Sequence, residues 1–350
     1  MKRWIGLLGV LAMVALSVPM VQAQTVLRVG FCAKTVTSAA APFAIADKFG
    51  WFGAFKVELV PLAGSADCVK YVGTQELAYT LPSIEPLANL RPEGIKAKVF
   101  YTAYQGNIYG LAVPAASPIK TLRDIKAGDK IGVASLASGG AIVARAVLAN
   151  LGLAEADVPI IVIGEGAQAA ALTRSKQVDV LSLYDTQYAL IDNAGVPVRP
   201  LINKDFDRFP SNGLIALDDT IAGKRAEAVA LGRGYAMGTV FAIANPEAAV
   251  HIIWEQFPQT KATGKDEATA FTEDVKTLGA RIVNFRLEKG GVQRWGESSM
   301  DNYQAYLDFL VKWGVVKQAI KAEEVVTNDL VADINNFDAA KIESQAKAYK

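Results

Sequence analysis

The chain has 350 residues, 51% of them hydrophobic, with 36 Lys+Arg against 35 Asp+Glu and a formal net charge of +1. A near-neutral chain with its charges spread along it gives no footing for nucleic-acid binding. Two cysteines and one histidine leave too few ligands for a four-ligand metal centre, and neither a metal nor a cofactor is expected.

Residues 1–23, MKRWIGLLGVLAMVALSVPMVQA, open with basic Lys2 and Arg3, continue with an apolar run from Ile5 to Val18, and end on the small-x-small triplet Val21-Gln22-Ala23. This is the pattern of a secretion signal cut after Ala23. The alternative is a membrane anchor, but the apolar core is short and no stop-transfer pattern follows. The mature chain then starts near Gln24, outside the cytoplasm, with no cysteine at the cut for a lipid. Losing Lys2 and Arg3 takes the net charge to about −1. The roughly 327 residues that remain are long for one core and usual for two lobes.

Strand-like and helix-like runs alternate from there. Strands are expected at 26–30, 56–61, 76–80, 96–104 and 108–114, with helices at 39–49, 66–73 and 83–90. The rhythm restarts with a short helix at 121–125. Strands at 130–133, 159–163, 178–183 and 198–202 then alternate with helices at 140–150, 166–175 and 187–193. A strand at 213–217 leads into amphipathic helices at 226–244, 246–257, 267–278 and 300–313. The βαβ rhythm implies an α/β fold, with parallel-type sheets and helices on both faces. Cut points near 113–118 and 209–213 divide it into lobe one (24–113 and 213–350) and lobe two (114–212), joined by two hinge crossovers. A cleft between such lobes, at the carboxyl ends of the strands, is where a ligand is expected.

Cys32 and Cys68 each follow a predicted strand by a few residues. Export places them in an oxidising compartment, so a disulfide is the first reading, and two half-buried free thiols are the alternative. The run IGVASLASGGA (131–141) passes from a strand through a Ser/Gly loop into a helix. Such a helix start can cradle an anion on free N–H groups. It can equally be a plain cap by Ser138, with the glycines easing a tight turn.

Several stretches carry a family resemblance: ADKFGWF (46–52), PAASPIKTLRDIK (114–126), IGVASLASGG (131–140), TNDL (327–330) and NFD (336–338). In this order they resemble the type II periplasmic solute-binding proteins of ABC importers. Within that class they resemble the receptors for sulfonates, taurine, nitrate and thiamine-pyrimidine precursors. The resemblance implies a monomeric periplasmic receptor for a small-molecule ligand, working with an ABC permease in the inner membrane. It also implies ligand contacts from strand-end loops of both lobes. In lobe one these are Thr35, Thr37, Ser38, Ser65 and Ser83, with Tyr104 at the crossover. In lobe two they are Ser135, Ser138, Gly139, Gly140, Gln168, Tyr184 and Asp185. Each has a plain structural reading too, as a helix cap or a half-buried packing residue; Asp67 reads as a cap and Tyr188 as a further ring for the cleft. Lys34 is the one basic residue among these loops, which speaks against a small bare anion such as nitrate. An organic anion bearing a sulfonate or carboxylate is the leading ligand class, and a heteroaromatic solute of pyrimidine or flavin type is the alternative.

An enzyme is the competing class. The pyrimidine-synthesis enzymes of the same fold need a cysteine-rich motif and histidines. Here Cys32 stands alone in GFCAK (30–34), and His251 lies in a predicted helix far from the loops. No Ser-His-Asp order, dinucleotide fingerprint or P-loop is present. A sensing module would share the fold and the loops. The expected activity is binding without catalysis.

Overall fold

The computed structural model describes residues 24–202, 206 and 209–349; the signal-peptide reading of 1–23 lies outside the described residues. Two five-stranded sheets organise the chain. The first holds β1 (Thr25–Phe31), β2 (Phe55–Pro61), β3 (Tyr79–Thr80), β4 (Ala97–Thr102) and β10 (Gly213–Leu217), in the order β2-β1-β3-β10-β4. The second holds β5 (Tyr109–Pro114), β6 (Ile131–Val133), β7 (Ile160–Val162), β8 (Val180–Tyr184) and β9 (Val198–Leu201), in the order β7-β6-β8-β5-β9. The helices α1 (Ala41–Lys48), α2 (Ser65–Gly73), α3 (Ile84–Leu90), α4 (Gly139–Leu151), α5 (Gly166–Arg174) and α6 (Asp185–Asn193) connect the strands. The α/β layering is as expected, and β8 is buried along its whole length, as a strand covered on both faces must be.

The sheets are mixed rather than wholly parallel. β1 runs parallel to β2 and β3, and β6 parallel to β7 and β8. β10 is antiparallel to β3 and β4, and β5 antiparallel to β8 and β9. The two exceptions have one cause. Each is the strand by which the chain enters a sheet from the other one, so it begins on the side where the parallel strands end. β5 therefore belongs wholly to the second sheet, whereas the sequence pattern alone places residues up to 113 in lobe one. The chain leaves the first sheet after Thr102, earlier than the expected cut at 113–118. Residue alternation identifies a strand but not the sheet that receives it.

The two crossovers lie side by side. The N–H groups of Ala103 and Tyr104 donate to the carbonyl of Asn212 at 3.0 and 3.1 Å, and Ser211 N–H donates to the carbonyl of Tyr104. Long helices, Arg225–Ala244, Pro246–Gln256, Glu267–Phe285 and Met300–Lys312, complete the chain with the capped Ala339–Ala348. None of the described helices is long and apolar enough to cross a membrane. The helix expected at 267–278 runs on to Phe285, because Ala270, Thr277, Leu278, Ile282 and Phe285 continue one buried stripe. It packs against α6 on one side and against the helices Arg225–Ala244 and Pro246–Gln256 on the other. The tail is stitched down by paired hydrogen bonds between Asn328 and the Ser298 backbone.

Cys32 and Cys68 form a disulfide, with 5.9 Å between their Cα atoms. β1 and β2 are parallel neighbours, so the loop after β1 and the start of α2 lie together. The bridge closes a loop of 36 residues. The double variant Cys32→Ala/Cys68→Ala is expected to lose about 2–4 kcal/mol of stability in urea unfolding. A loss below 1 kcal/mol would show that the bridge constrains little of the unfolded chain.

Candidate functional site

The carboxyl ends of both sets of parallel strands face one cleft. It is lined from the first sheet by Phe31, Thr35, Thr37 and Leu81, from the crossovers by Tyr104 and Asn212, and from the second sheet by Tyr109, Tyr184 and Thr186. Arg281 lines it from the helix Glu267–Phe285. Its volume is about 30 Å³, room for roughly one or two water molecules.

Contacts across the cleft explain that closeness. Thr35 N–H donates across the cleft to Glu165 Oε2 at 3.0 Å, and Tyr184 Oη, from the same lobe as Glu165, donates to its Oε1 at 3.1 Å. Ser135 Oγ donates to the carbonyl of Ala63 at 2.6 Å, and Ala66 N–H donates to the carbonyl of Ala137. Gly64 allows this approach, since a Cβ there would collide with the Ala137 carbonyl.

Arg281 is the central polar group. It is 3% exposed, and a buried arginine is tolerated only when paired. Its Nε donates to Asp185 Oδ1 and Oδ2 at 3.0 and 2.8 Å, and Nη2 donates to Oδ1 at 2.6 Å. Asn284 Nδ2 and Thr186 N–H donate to the same carboxylate. Asp185 is the first residue of α6, where the helix dipole favours an anion. The Tyr104 ring lies 4.2 Å from the guanidinium carbon, a cation–π contact that strengthens on burial. Burial works against the charge of Arg281, and the adjacent Asp185 outweighs it, so its pKa is raised. Burial also pushes up the phenols of Tyr104, Tyr109 and Tyr184, which stay neutral hydroxyls at physiological pH.

Two further polar groups stand in the cavity wall. Thr186 Oγ1 is buried with no hydrogen-bond partner among the described residues and lines the cavity. A buried hydroxyl left unpaired carries a desolvation cost of about 1–3 kcal/mol, which a ligand would relieve. Asn212 donates to the carbonyl of Leu81 and accepts from Ser211, so it stands rigidly in the wall.

The structure gathers some of the expected site residues and separates others. Thr35, Thr37, Tyr104 and Tyr184 line the cavity. Thr37 also caps the short 3-10 helix Ser38–Ala40, while Ser38 is buried behind it. Ser65 and Ser83 are engaged with each other, Ser83 N–H donating to Ser65 Oγ at 3.0 Å. Ser138 caps α4 by accepting from Ala141 N–H. Gly139 makes room for the Tyr109 ring and Gly140 for the carbonyl of Ser182. The 131–141 loop is therefore a cap and a packing device that brings Ser135 to the partner sheet. Gln168 is exposed on α5 and lies against Gly164. Asp185 is saturated by protein donors. Tyr188 bonds the backbone of β5 and β8 instead of closing over the cleft. The N-cap of α2 is Gly64, and Asp67 sits inside its first turn. His251 is exposed and stacks on Phe271, with ring centroids 4.5 Å apart. No group of three or more His, Cys, Asp or Glu among the described residues is placed to hold a metal ion.

Arg281, Thr186, Asn212, Tyr109 and Glu165 were not among the expected contacts. Arg281 had a signal in the sequence: it falls on the apolar stripe of its helix, between Leu278 and Ile282. A charge at a core position is a functional or paired group more often than an accident.

Two mixed sheets facing each other across a cleft at their strand ends, joined by paired crossovers, define the type II periplasmic binding protein fold. Comparison with known proteins agrees. The chain matches the family described as NMT1/THI5 like over residues 37–249. It belongs to the NMT1/THI5-like family. No curated protein matches it. Among solved structures it is similar to a protein of Bordetella bronchiseptica RB50, with a TM-score of 0.67, 19% identity, and coverage of 92% of this chain and 98% of that one. It is also similar to the alkanesulfonate-binding protein SsuA of Xanthomonas axonopodis pv. citri bound to MOPS, with a TM-score of 0.63, 15% identity, and coverage of 87% and 98%. The periplasmic nitrate-binding protein NrtA of Synechocystis PCC 6803 gives a TM-score of 0.61, 15% identity, and coverage of 93% and 99%. At such identities the likeness is one of fold.

Removing one member of a buried ion pair leaves the other uncompensated. Arg281→Ala is therefore expected to cost about 3–5 kcal/mol of stability, and Lys276→Ala, whose partner Asp192 is solvated, less than about 1 kcal/mol. Equal losses would contradict the assignment. A separate test concerns Glu85, fully buried behind the cleft with the Tyr306 hydroxyl donating to it. Burial pushes its carboxyl up from 4.5. A raised carboxyl favours the folded state at low pH and loses that contribution as pH rises through the folded pKa. Wild type should therefore lose stability relative to Glu85→Gln on going from pH 4.5 upward; a difference independent of pH would refute this.

Proposed function

We propose that the protein is an extracytoplasmic receptor that closes its two lobes over a small organic solute, without catalysis, and presents the closed form to an ABC importer. The observation that carries this is the cleft itself. Groups from both sheets face it, Thr186 offers an unpaired hydroxyl, and bonds such as Thr35 to Glu165 exist only when the lobes are together. A ligand that touches both sides favours the closed form by its differential affinity. With about 30 Å³ inside the closed cleft, entry requires the lobes to part at the crossovers.

The wall favours a flat, polar, uncharged solute, of the heteroaromatic kind. Tyr104, Tyr109 and Tyr184 supply ring faces and neutral hydroxyls, and Asn212 and Thr186 supply hydrogen-bonding groups. Arg281 is already neutralised by Asp185. An arriving anion about 4 Å from each would gain about 4 kcal/mol from one and lose the same to the other at an effective dielectric constant of 20, while still losing its hydration. A second reading, a sulfonate or carboxylate solute, is favoured by the N-terminus of α6 and the Thr186 hydroxyl beside it.

Thermal denaturation of the mature chain with a panel of pyrimidines, flavins, aryl carboxylates, alkyl sulfonates and nitrate tests this. A binder at a hundredfold excess over its dissociation constant adds about 2.7 kcal/mol. Thr186→Val is expected to weaken that binder about tenfold, the worth of one hydrogen bond. A binder unaffected by Thr186→Val and by Tyr184→Phe would place the site elsewhere, and turnover of any compound would overturn the receptor reading.

A further inference from the structure

The Asp185 carboxylate has no free capacity. Arg281 Nε and Nη2, Asn284 Nδ2 and Thr186 N–H together donate to its two oxygens, and a carboxylate offers about four lone-pair sites. It sits in the guanidinium fork in the bidentate way that a ligand carboxylate or sulfonate would. The two residues are 96 positions apart and come from elements packed face to face. Arg281 lines the cavity while Asp185 is not among its lining residues. The protein thus meets the cation of the cleft from behind, with an anion of its own.

We propose that Asp185 is a resident counter-anion that fills the Arg281 fork and makes the cleft discriminate against solutes bringing a carboxylate or sulfonate to that point. The proposal rests on the cleft being the solute site. Asp185 is on this account a specificity-determining residue that never touches the solute. Arg281, held by Asp185, keeps a neutralised, planar surface beside the Tyr104 ring. Without Asp185 the same fork is an anion site.

Chemical rescue tests the proposal without a known solute. Asp185→Gly removes the carboxylate and leaves space for formate. The variant is expected to lose stability and to regain it saturably with sodium formate. Formamide, or sodium chloride at equal ionic strength, should restore nothing, and the Asp185→Gly/Arg281→Ala double variant should not respond. Asp185→Asn keeps the side-chain volume and serves if the glycine variant fails to fold. It is expected to bind methanesulfonate about tenfold or more tightly than wild type, or about 1.4 kcal/mol. The proposal is overturned if formate and formamide act alike, if neither acts on a folded glycine variant, or if wild type takes methanesulfonate as tightly as Asp185→Asn. A failed receptor reading would look different: no organic solute would shift wild type, while the formate response would persist.

Discussion

The buried pair between Arg281 and Asp185 is the contact on which the rest of the cleft depends. Each charge would be prohibitively costly alone at that depth, so each holds the other in place. The pair ties the first turn of α6, at the end of the second sheet, to the last turns of the helix Glu267–Phe285. Around it Tyr104 stacks, Asn284 donates its amide, and the carbonyl of Asn284 receives the N–H groups of Gln105 and Gly106 from the first crossover. One ion pair thereby couples the binding wall to the segments about which the lobes would turn.

The remaining contacts across the cleft are of a weaker kind. Glu165, Thr35, Ser135 and Ala63 join through single hydrogen bonds at a partly solvated rim. Each such bond contributes about 1 kcal/mol net and can be exchanged for water. This division suits the opening and closing proposed for the two lobes. The pivot is buried and strongly paired, and the rim is held by bonds that release readily. The mixed order of both sheets belongs to the same design, since a strand entering from the facing lobe starts at the cleft and delivers its first residue there. Tyr109 at the start of β5 is an instance.

Much of the fold was legible along the chain. The strand and helix rhythm and the restart after the first lobe followed from local patterns, whereas the Cys32–Cys68 bridge was the first of two readings and needed the pairing of β1 with β2 to bring the thiols together. The sheet that receives β5 was not legible, because its pairing partners β8 and β9 come far later in sequence. A smaller part of the cleft wall was legible as well. Thr35, Thr37, Tyr104 and Tyr184 occupy strand-end loops, where an α/β sheet places its ligands. The Ser/Gly loop at 131–141 looked like an anion cradle, but Ser138 is a cap and the glycines accommodate Tyr109 and the Ser182 carbonyl. Free helix starts and packed ones have the same local sequence, and only tertiary contacts separate them. Arg281 lay outside the strand-end loops altogether, on a late helix that arrives from the far side.

The most direct test of this coupling is a distance distribution between spin labels on the two lobes, at the exposed positions Lys56 and Ala154 changed to cysteine. The native cysteines are already bridged and will not take the label. The account predicts a narrower distance distribution in wild type than in Arg281→Ala, where the pivot has lost its buried pair and the lobes turn less restrictedly. Identical distributions in the two proteins would contradict it, and would show that the pair does not restrain the pivot.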